Sequence, residues 1–274
     1  MKHTALILAH RYPRQLNRLV QRLQQLHITP LVHVDAKQRA MTAALEHPYI
    51  SCYKVNWGGY STVAAFELLL KNAVAQRADY YSLISGQCYP LMSRHSMEAT
   101  LSSGLNYLEY YALPFANWSG HGGLDRYAYL HFPDLPYPRL RDYLRQAQIR
   151  LGYRRQWPTG IQPYGGSDWF TITHTAAEYL LLQMPKWKRF FRYTLLPSEA
   201  MVHTILLNSP LAHTVANNNL RMIEWHRGPE HPRTWRHEDL PLLLQSGKCF
   251  GRKFEAVQDM SLLDAIDKAV DKAA

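Results

Sequence analysis

Two rhythms of apolar residues alternate through the first hundred positions. Residues 4–9 form a short, nearly unbroken apolar run of the kind a buried strand shows, and Leu16, Leu19, Val20, Leu23 and Leu26 recur behind it at helical spacing. Residues 31–34 predict a second strand ending at Asp35, 51–55 a third, 62–74 a helix, and 80–85 a fourth strand running into Gly86. This alternation predicts an α/β fold, a mostly parallel central sheet with helices on both faces. Ligands of such sheets gather at the carboxyl ends of the strands. The turn His10, Arg11, Tyr12, Pro13 follows the first strand and opens a helix, so it lies where a ligand would sit.

The second half is less regular. Residues 107–111 predict an aromatic strand carrying Glu109, 167–173 another strand, and 174–183 a helix. The segment 114–163 is rich in Pro, Gly, Tyr, Trp and Arg, with a helix predicted at 140–151, and reads as an elaborated surface region. In 193–209, Pro197 and Ser198 mark a helix start, Glu199 falls in the first turn, and Met201, Ile205 and Leu206 follow at helical spacing. A carboxylate there has an ordinary explanation, because the helix dipole favours negative charge by roughly 0.3–1 kcal/mol. It is also aimed at whatever lies in front of the helix. A short strand at 220–225, a basic loop reaching Arg236 and two terminal helices complete the chain.

Composition narrows this picture only slightly. With 274 residues, 47% of them hydrophobic, the chain can bury a substantial core as one large domain or two small ones. A formal charge of +10, from 31 Lys and Arg against 21 Asp and Glu, predicts attraction to a nucleotide, another polyanion, an acidic glycan or an anionic membrane face. Cys52, Cys88 and Cys249 are too few and scattered for a disulfide framework or a zinc site, and read as small buried hydrophobes in a reducing compartment. The apolar opening at 5–9 is far shorter than the ~20 residues of a spanning helix. The expectation is a cytoplasmic protein, with peripheral contact at the inner face of an anionic membrane open to it.

Sugar transfer from a nucleotide sets two charge problems, a departing diphosphate and an acceptor hydroxyl that must lose a proton. A divalent ion on an Asp-x-Asp pair often solves the first, but here no two acidic residues are separated by one position. Cations would then replace the metal, and Arg233, Arg236, Arg252 and Lys253 are candidates beside the alternative of a solvated basic surface. Opposite charges ~4 Å apart gain roughly 4 kcal/mol at an effective dielectric of 20. Glycine-rich segments at 57–61 and 164–169 allow either a close ligand or a tight turn. His33, His203 and the other histidines lack metal-like spacing, so no metal is expected.

Several motifs occur in order: Ala-Leu-Ile-Leu-Ala-His-Arg at 5–11, Val-His-Val-Asp at 32–35, Trp-Gly-Gly-Tyr-Ser at 57–61, Leu-Ile-Ser-Gly-Gln-Cys-Tyr-Pro-Leu at 83–91, Gly-Gly-Ser-Asp-Trp-Phe at 165–170, Leu-Leu-Pro-Ser-Glu at 195–199 and Arg-Lys-Phe-Glu at 252–255. Together they resemble glycosyltransferase family 14, which holds core-2/I-branching β-1,6-N-acetylglucosaminyltransferases and peptide O-xylosyltransferases. The Glu199 and Arg252 segments look closest to the xylosyltransferase branch. The resemblance implies a single GT-A-like, Rossmann-like domain over 1–274, with 1–113 binding the nucleotide and 114–274 the acceptor and catalytic half. It implies a UDP-sugar donor carrying N-acetylglucosamine or xylose, a glycan or other hydroxyl acceptor, and an inverting, metal-independent reaction giving a β-linkage without a further cofactor. Glu199 matches the general base, and Arg233 and Lys253 the basic pair at the diphosphate, with Arg252 beside them. His10, Arg11 and Asp35 match the nucleotide-facing strand ends. Glu109, Gly166, Ser167, Asp168, Trp169 and Trp225 match the sugar and acceptor pocket.

The chain departs from that pattern at Cys88, where relatives commonly carry Asp, and in showing no anchor, stem or disulfide set, which suits a bacterial-type member. A competing reading is a non-catalytic basic protein binding nucleic acid or acidic polysaccharide through the aromatic and Arg mixture of 114–163. The family reading expects no nucleic acid.

Overall fold

The computed structural model describes residues 1–225 and 232–273. Strand β1 (His3–Ala9) pairs in parallel with β2 (Ile28–Val34) on one side and β3 (Tyr80–Ser85) on the other. Short β4 (Cys88–Pro90) leaves this sheet, which continues through β5 (Asn106–Ala112), β6 (Tyr164–Thr173) and β7 (Val215–Asn217) in the order β2-β1-β3-β6-β5-β7. Strand β6 opposes both β3 and β5, and β7 follows β5, so β6 runs against the rest of the sheet. The second sheet, order β4-β9-β8, is built from β8 (Arg221–Ile223) and β9 (Phe250–Arg252) on β4. The fold is α/β with a mostly parallel central sheet.

Helices α1 (Pro13–Gln25), α2 (Arg39–Thr42), α3 (Tyr60–Gln76) and α4 (Arg94–Leu101) belong to the first half. Turns α5 (Ser119–Gly122) and α6 (Asp125–Ala128) and helices α7 (Pro138–Arg150), α8 (His174–Phe191), α9 (Met201–Leu207), α10 (Leu240–Gln245) and α11 (Met260–Lys272) follow. Alternation along β1 sends Ala5, Ile7 and Ala9 into a core shared with α1, α4 and α11, and Leu6 into a second core shared with α3, α8 and α9. Burial on both faces is why β1 reads as a continuous apolar run. Leu6 and Ile7 are fully buried, each contributing roughly 1.5–3 kcal/mol of transfer free energy.

A buried polar chain couples the two sheets. His3 Nε2 lies 2.9 Å from Ser82 Oγ, which lies 2.7 Å from Thr171 Oγ1, and the Arg221 guanidinium donates to that hydroxyl at 3.0 Å. Arg221 also donates to the carbonyls of Leu83, Phe170 and Asn219. Among the described residues it has no carboxylate partner, and burial pushes it down to about 10.

Several expectations need correction. Residues 51–55 form no strand, because their backbone amides turn to side chains: Tyr53 N donates to His33 Nε2 and Val55 N to Asp35 Oδ1. The predicted strand at 220–225 shrinks to Arg221–Ile223, and the helix predicted at 174–183 runs to Phe191 through Pro185. Cys88 and Cys249 are buried, but Cys52 is exposed. Glu199 sits in a separate 3-10 turn, Pro197–Glu199, because Ala200 at φ −133° breaks the chain before α9 begins. The helix-dipole explanation of that carboxylate therefore weakens. No described helix is long and apolar enough to cross a membrane.

Candidate active site

The turn carrying Glu199 is fixed by backbone bonds from two distant segments. Leu196, at φ 52°, donates its N–H to Gly58 O at 2.9 Å, and Leu195 donates to Arg126 O at 2.9 Å. Gly58 has φ 73°, a conformation other residues rarely adopt, and a Cβ there would lie 3.0 Å from Leu195. The glycine-rich segment at 57–61 thus braces the turn that bears the carboxylate.

On the other side of Glu199, β6 supplies a platform. The pairing of β5 and β6 shifts register between Leu108 and Tyr110. At this bulge a Cβ on Gly166 would run into the carbonyl oxygen of Glu109, and one on Gly165 would stand 2.8 Å from the Trp118 ring. Glycine therefore lets Trp118 lie against β6, and Arg126 stacks over that ring with Cζ 4.2 Å from its centroid. The same guanidinium donates from Nη1 to Glu199 Oε2 in an ion pair. One carboxylate oxygen is committed, which leaves Oε1 as the acceptor for a proton.

Asp168, two residues beyond the bulge, is the second acid of the site. Its Oδ1 is buried and has no hydrogen-bond partner among the described residues. Burial raises its proton affinity, with Ser198, Arg252 and Arg126 pulling the other way. Burial, and then the charge of Asp168, also hold the Glu199 carboxyl above the usual carboxylate range, with Arg126 opposing. Burial and the charge of Asp168 together raise basicity at Glu199 toward the range where a general base works. The hydroxyl of Tyr127 is buried without a described partner, and burial pushes it far up, so it stays protonated.

Arg252 joins this pair to a basic cluster. Its guanidinium stacks on Trp169 with Cζ 4.8 Å from the ring centroid and donates to Ser85 Oγ at the end of β3. Arg11 Nε donates to His10 Nε2 at 2.9 Å. Burial, then the charges of Arg11 and Arg252, hold His10 below its ordinary value, with Lys253 adding to them and Asp35 opposing. Lys253 Nζ is 2.6 Å from Glu255 Oε1. Burial opposes ionisation of Glu255, but Lys253, Arg11 and Gln87 outweigh it and keep the carboxyl below the usual range.

The remaining sequence candidates are placed as follows. Asp35 Oδ1 accepts the N–H groups of Lys37 and Val55 and so shapes the loop after β2. Arg233 donates to Glu224 and Asp239, so its charge is already engaged. Its carbonyl accepts from Lys253 N at 3.4 Å. Arg236 is exposed where a 3-10 turn begins. Glu230 and His231 of the predicted basic loop lie outside the described residues. Glu109 accepts from Tyr111 Oη at 3.0 Å and Asn219 Nδ2 at 2.7 Å, and Ser167 Oγ from Trp169 N at 3.3 Å. Gly166 is buried against backbone, whereas Trp225 is 64% exposed. His203 is fully buried, its ring pushed down to about 4 by burial. Among the described residues no three His, Cys, Asp or Glu side chains converge as a metal site requires.

Thus Glu199, Asp168, Trp169 and Arg252 come together, and Arg252 also belongs with His10, Arg11, Lys253 and Asp35. Sequence reasoning missed Arg126 and Trp118. Both lie in 114–163, where the aromatic and Arg mixture is visible but reads as surface.

A family model described as the Core-2/I-Branching enzyme matches residues 6–242. Xylosyltransferase 1 of Homo sapiens is 29% identical over 236 residues, covering 77% of this chain and 23% of its own length. Xylosyltransferase 2 of Rattus norvegicus is 29% identical over 236 residues, 77% of this chain and 26% of its own. Xylosyltransferase 2 of Mus musculus is 27% identical over 296 residues, covering 96% and 33%. The chain therefore spans about a quarter to a third of the curated relatives it matches. Among solved structures, mannose-1-phosphate geranyltransferase from Thermus thermophilus aligns over 78% of this chain and 67% of its own at 16% identity, with a TM-score of 0.33, too loose to carry an argument.

Proposed function

This chain belongs to the Core-2/I-branching enzyme family, and on that premise we propose that it is an inverting glycosyltransferase moving xylose or N-acetylglucosamine from a UDP-sugar to an acceptor hydroxyl. The observation that carries this reading is Glu199, ion-paired to Arg126 and raised by burial and by the charge of Asp168, with Arg252 stacked on the neighbouring Trp169 and linking it to a cluster of cations. The acceptor oxygen attacks the anomeric carbon, its proton passes to Glu199 Oε1, and the bond to the diphosphate breaks on the opposite face. An α-linked donor then yields a β-linked product. The negative charge that develops on the departing diphosphate is met by Arg252 and Arg11 without a metal ion, with Lys253 beside them in its ion pair with Glu255. Arg233 acts more remotely, setting the backbone of Lys253 through its carbonyl. Trp169 and Asp168 border the sugar. An acceptor on a glycan suits the family, and the name xylosyltransferase carried by its relatives makes xylose the first donor to try.

The test is UDP release from a panel of UDP-sugars with and without EDTA. Glu199→Gln should keep UDP affinity and lose roughly 10²–10⁴-fold in turnover, the usual worth of a positioned base. Transfer by that variant at the wild-type rate refutes the base, and complete loss of wild-type transfer in EDTA refutes cationic replacement of a metal.

A further inference from the structure

Helix α7 spans thirteen residues and none of them is buried. It stands out with Tyr137 and Tyr143 each 64% exposed, and Leu151 just beyond its end 82% exposed. Leu140, Ile149 and Tyr153 are also exposed. Between 137 and 155 the sequence carries six arginines and one acid, Asp142. Arg139, Arg145 and Arg150 are exposed and form no ion pair among the described residues.

We propose that α7 and the residues flanking it form a docking surface for an anionic lipid bilayer. The arginines match an anionic headgroup layer, where each contributes about 1 kcal/mol. Their stems can lie along apolar surface while the guanidinium groups reach phosphate. The aliphatic side chains select lipid over a polysaccharide or nucleic acid, because Leu140 and Leu151, which the helical repeat puts on one side with Tyr143, Arg139 and Arg150, gain little from hydrated sugars and bury well between acyl chains. Tyr143, on the same side and 64% exposed, suits the headgroup boundary.

The surface is tied to the site. Gln148 Nε2 donates to Leu130 O at 2.9 Å and its Oε1 accepts from Leu130 N at 2.7 Å, while Arg155 N donates to Ala128 O at 2.8 Å. These bonds hold α7 to the segment bearing Arg126, the partner of Glu199. Docking there would bring a bilayer to the side of the chain that carries this segment, and a lipid-borne hydroxyl is the acceptor this points to. That last step rests on the proposed transfer activity; docking itself does not.

Vesicle co-sedimentation without donor or acceptor tests the docking. The full chain should bind vesicles of equal parts phosphatidylglycerol and phosphatidylcholine and leave pure phosphatidylcholine in solution. The double variant Arg139→Gln/Arg150→Gln should bind roughly thirtyfold more weakly, and Leu151→Ser should also lose affinity, with thermal transitions unchanged. Equal binding to both vesicle types, or undiminished binding by the variants, overturns the proposal. So does loss of binding to heparin in the double variant with vesicle binding intact, which would reassign the surface to acidic polysaccharide. Failure of docking leaves the transfer chemistry standing.

Discussion

Replacing Arg126 by Met keeps an unbranched side chain against Trp118 and removes the only cation hydrogen-bonded to Glu199 among the described residues. The two side chains are 20% and 22% exposed, so solvent screens the pair only in part. A hydrogen bond between ionised groups is worth roughly 1.5–3 kcal/mol. At about 1.36 kcal/mol per pH unit, losing it moves the ionisation of Glu199 up by about one to two units. Asp168 reinforces the direction, because its repulsion of an ionised Glu199 is then unopposed by Arg126. The basic form that the proposed transfer requires becomes scarce near neutrality, and turnover at pH ~7 should fall about 10- to 100-fold and recover as pH is raised. The assay is kcat for UDP release from about pH 5 to 10, with UDP affinity measured in parallel. Arg126→Lys should restore much of the wild-type profile by returning the charge. A fall in rate at every pH, with the rising limb unmoved, would show that Arg126 does not set the ionisation of Glu199.

The same acid pair predicts a cost to the fold. A carboxyl whose folded-state value is raised stabilises the protein fully below its unfolded value and loses that contribution as pH rises through the folded value. Glu199→Gln should therefore melt relatively higher than wild type on the alkaline side, the difference vanishing near pH ~4, where both forms are uncharged at that position; a constant destabilisation at all pH values counters this. Gly166→Ala drives a methyl group into a backbone carbonyl oxygen, a clash that no side-chain rotation relieves. It should lower stability by about 3 kcal/mol or more in chemical denaturation, and a wild-type midpoint would show that the bulge can open.

Strands β1 and β3 are readable because both faces of each are buried, which writes a continuous apolar run into the sequence. Strands β4, β7 and β9 have three residues each, too few to carry any period. Residues 51–55 mislead because their apolar content resembles a strand while their backbone is held by the side chains of His33 and Asp35. Glu199 is conspicuous as an acid before an apolar helix, yet its setting is not: Arg126 reaches it across 73 positions, a contact no local pattern records. Asp168 and Arg252 stand out through their motifs. That Arg252 links the acid pair to the basic cluster emerges only when β9, in the small sheet, lies against the end of β3.

Arg221 acts as a mechanical clamp. Rooted on β8, it grips Leu83 on β3 and Phe170 and Thr171 on β6, with Phe250 of β9 beneath its plane. Prising the small sheet from the large one would strip those oxygens of their donor and strand a cation in a dry interior. Arg252 and Asp168 are thus mounted on one rigid frame, and any opening of the cleft between them falls to the loops around it.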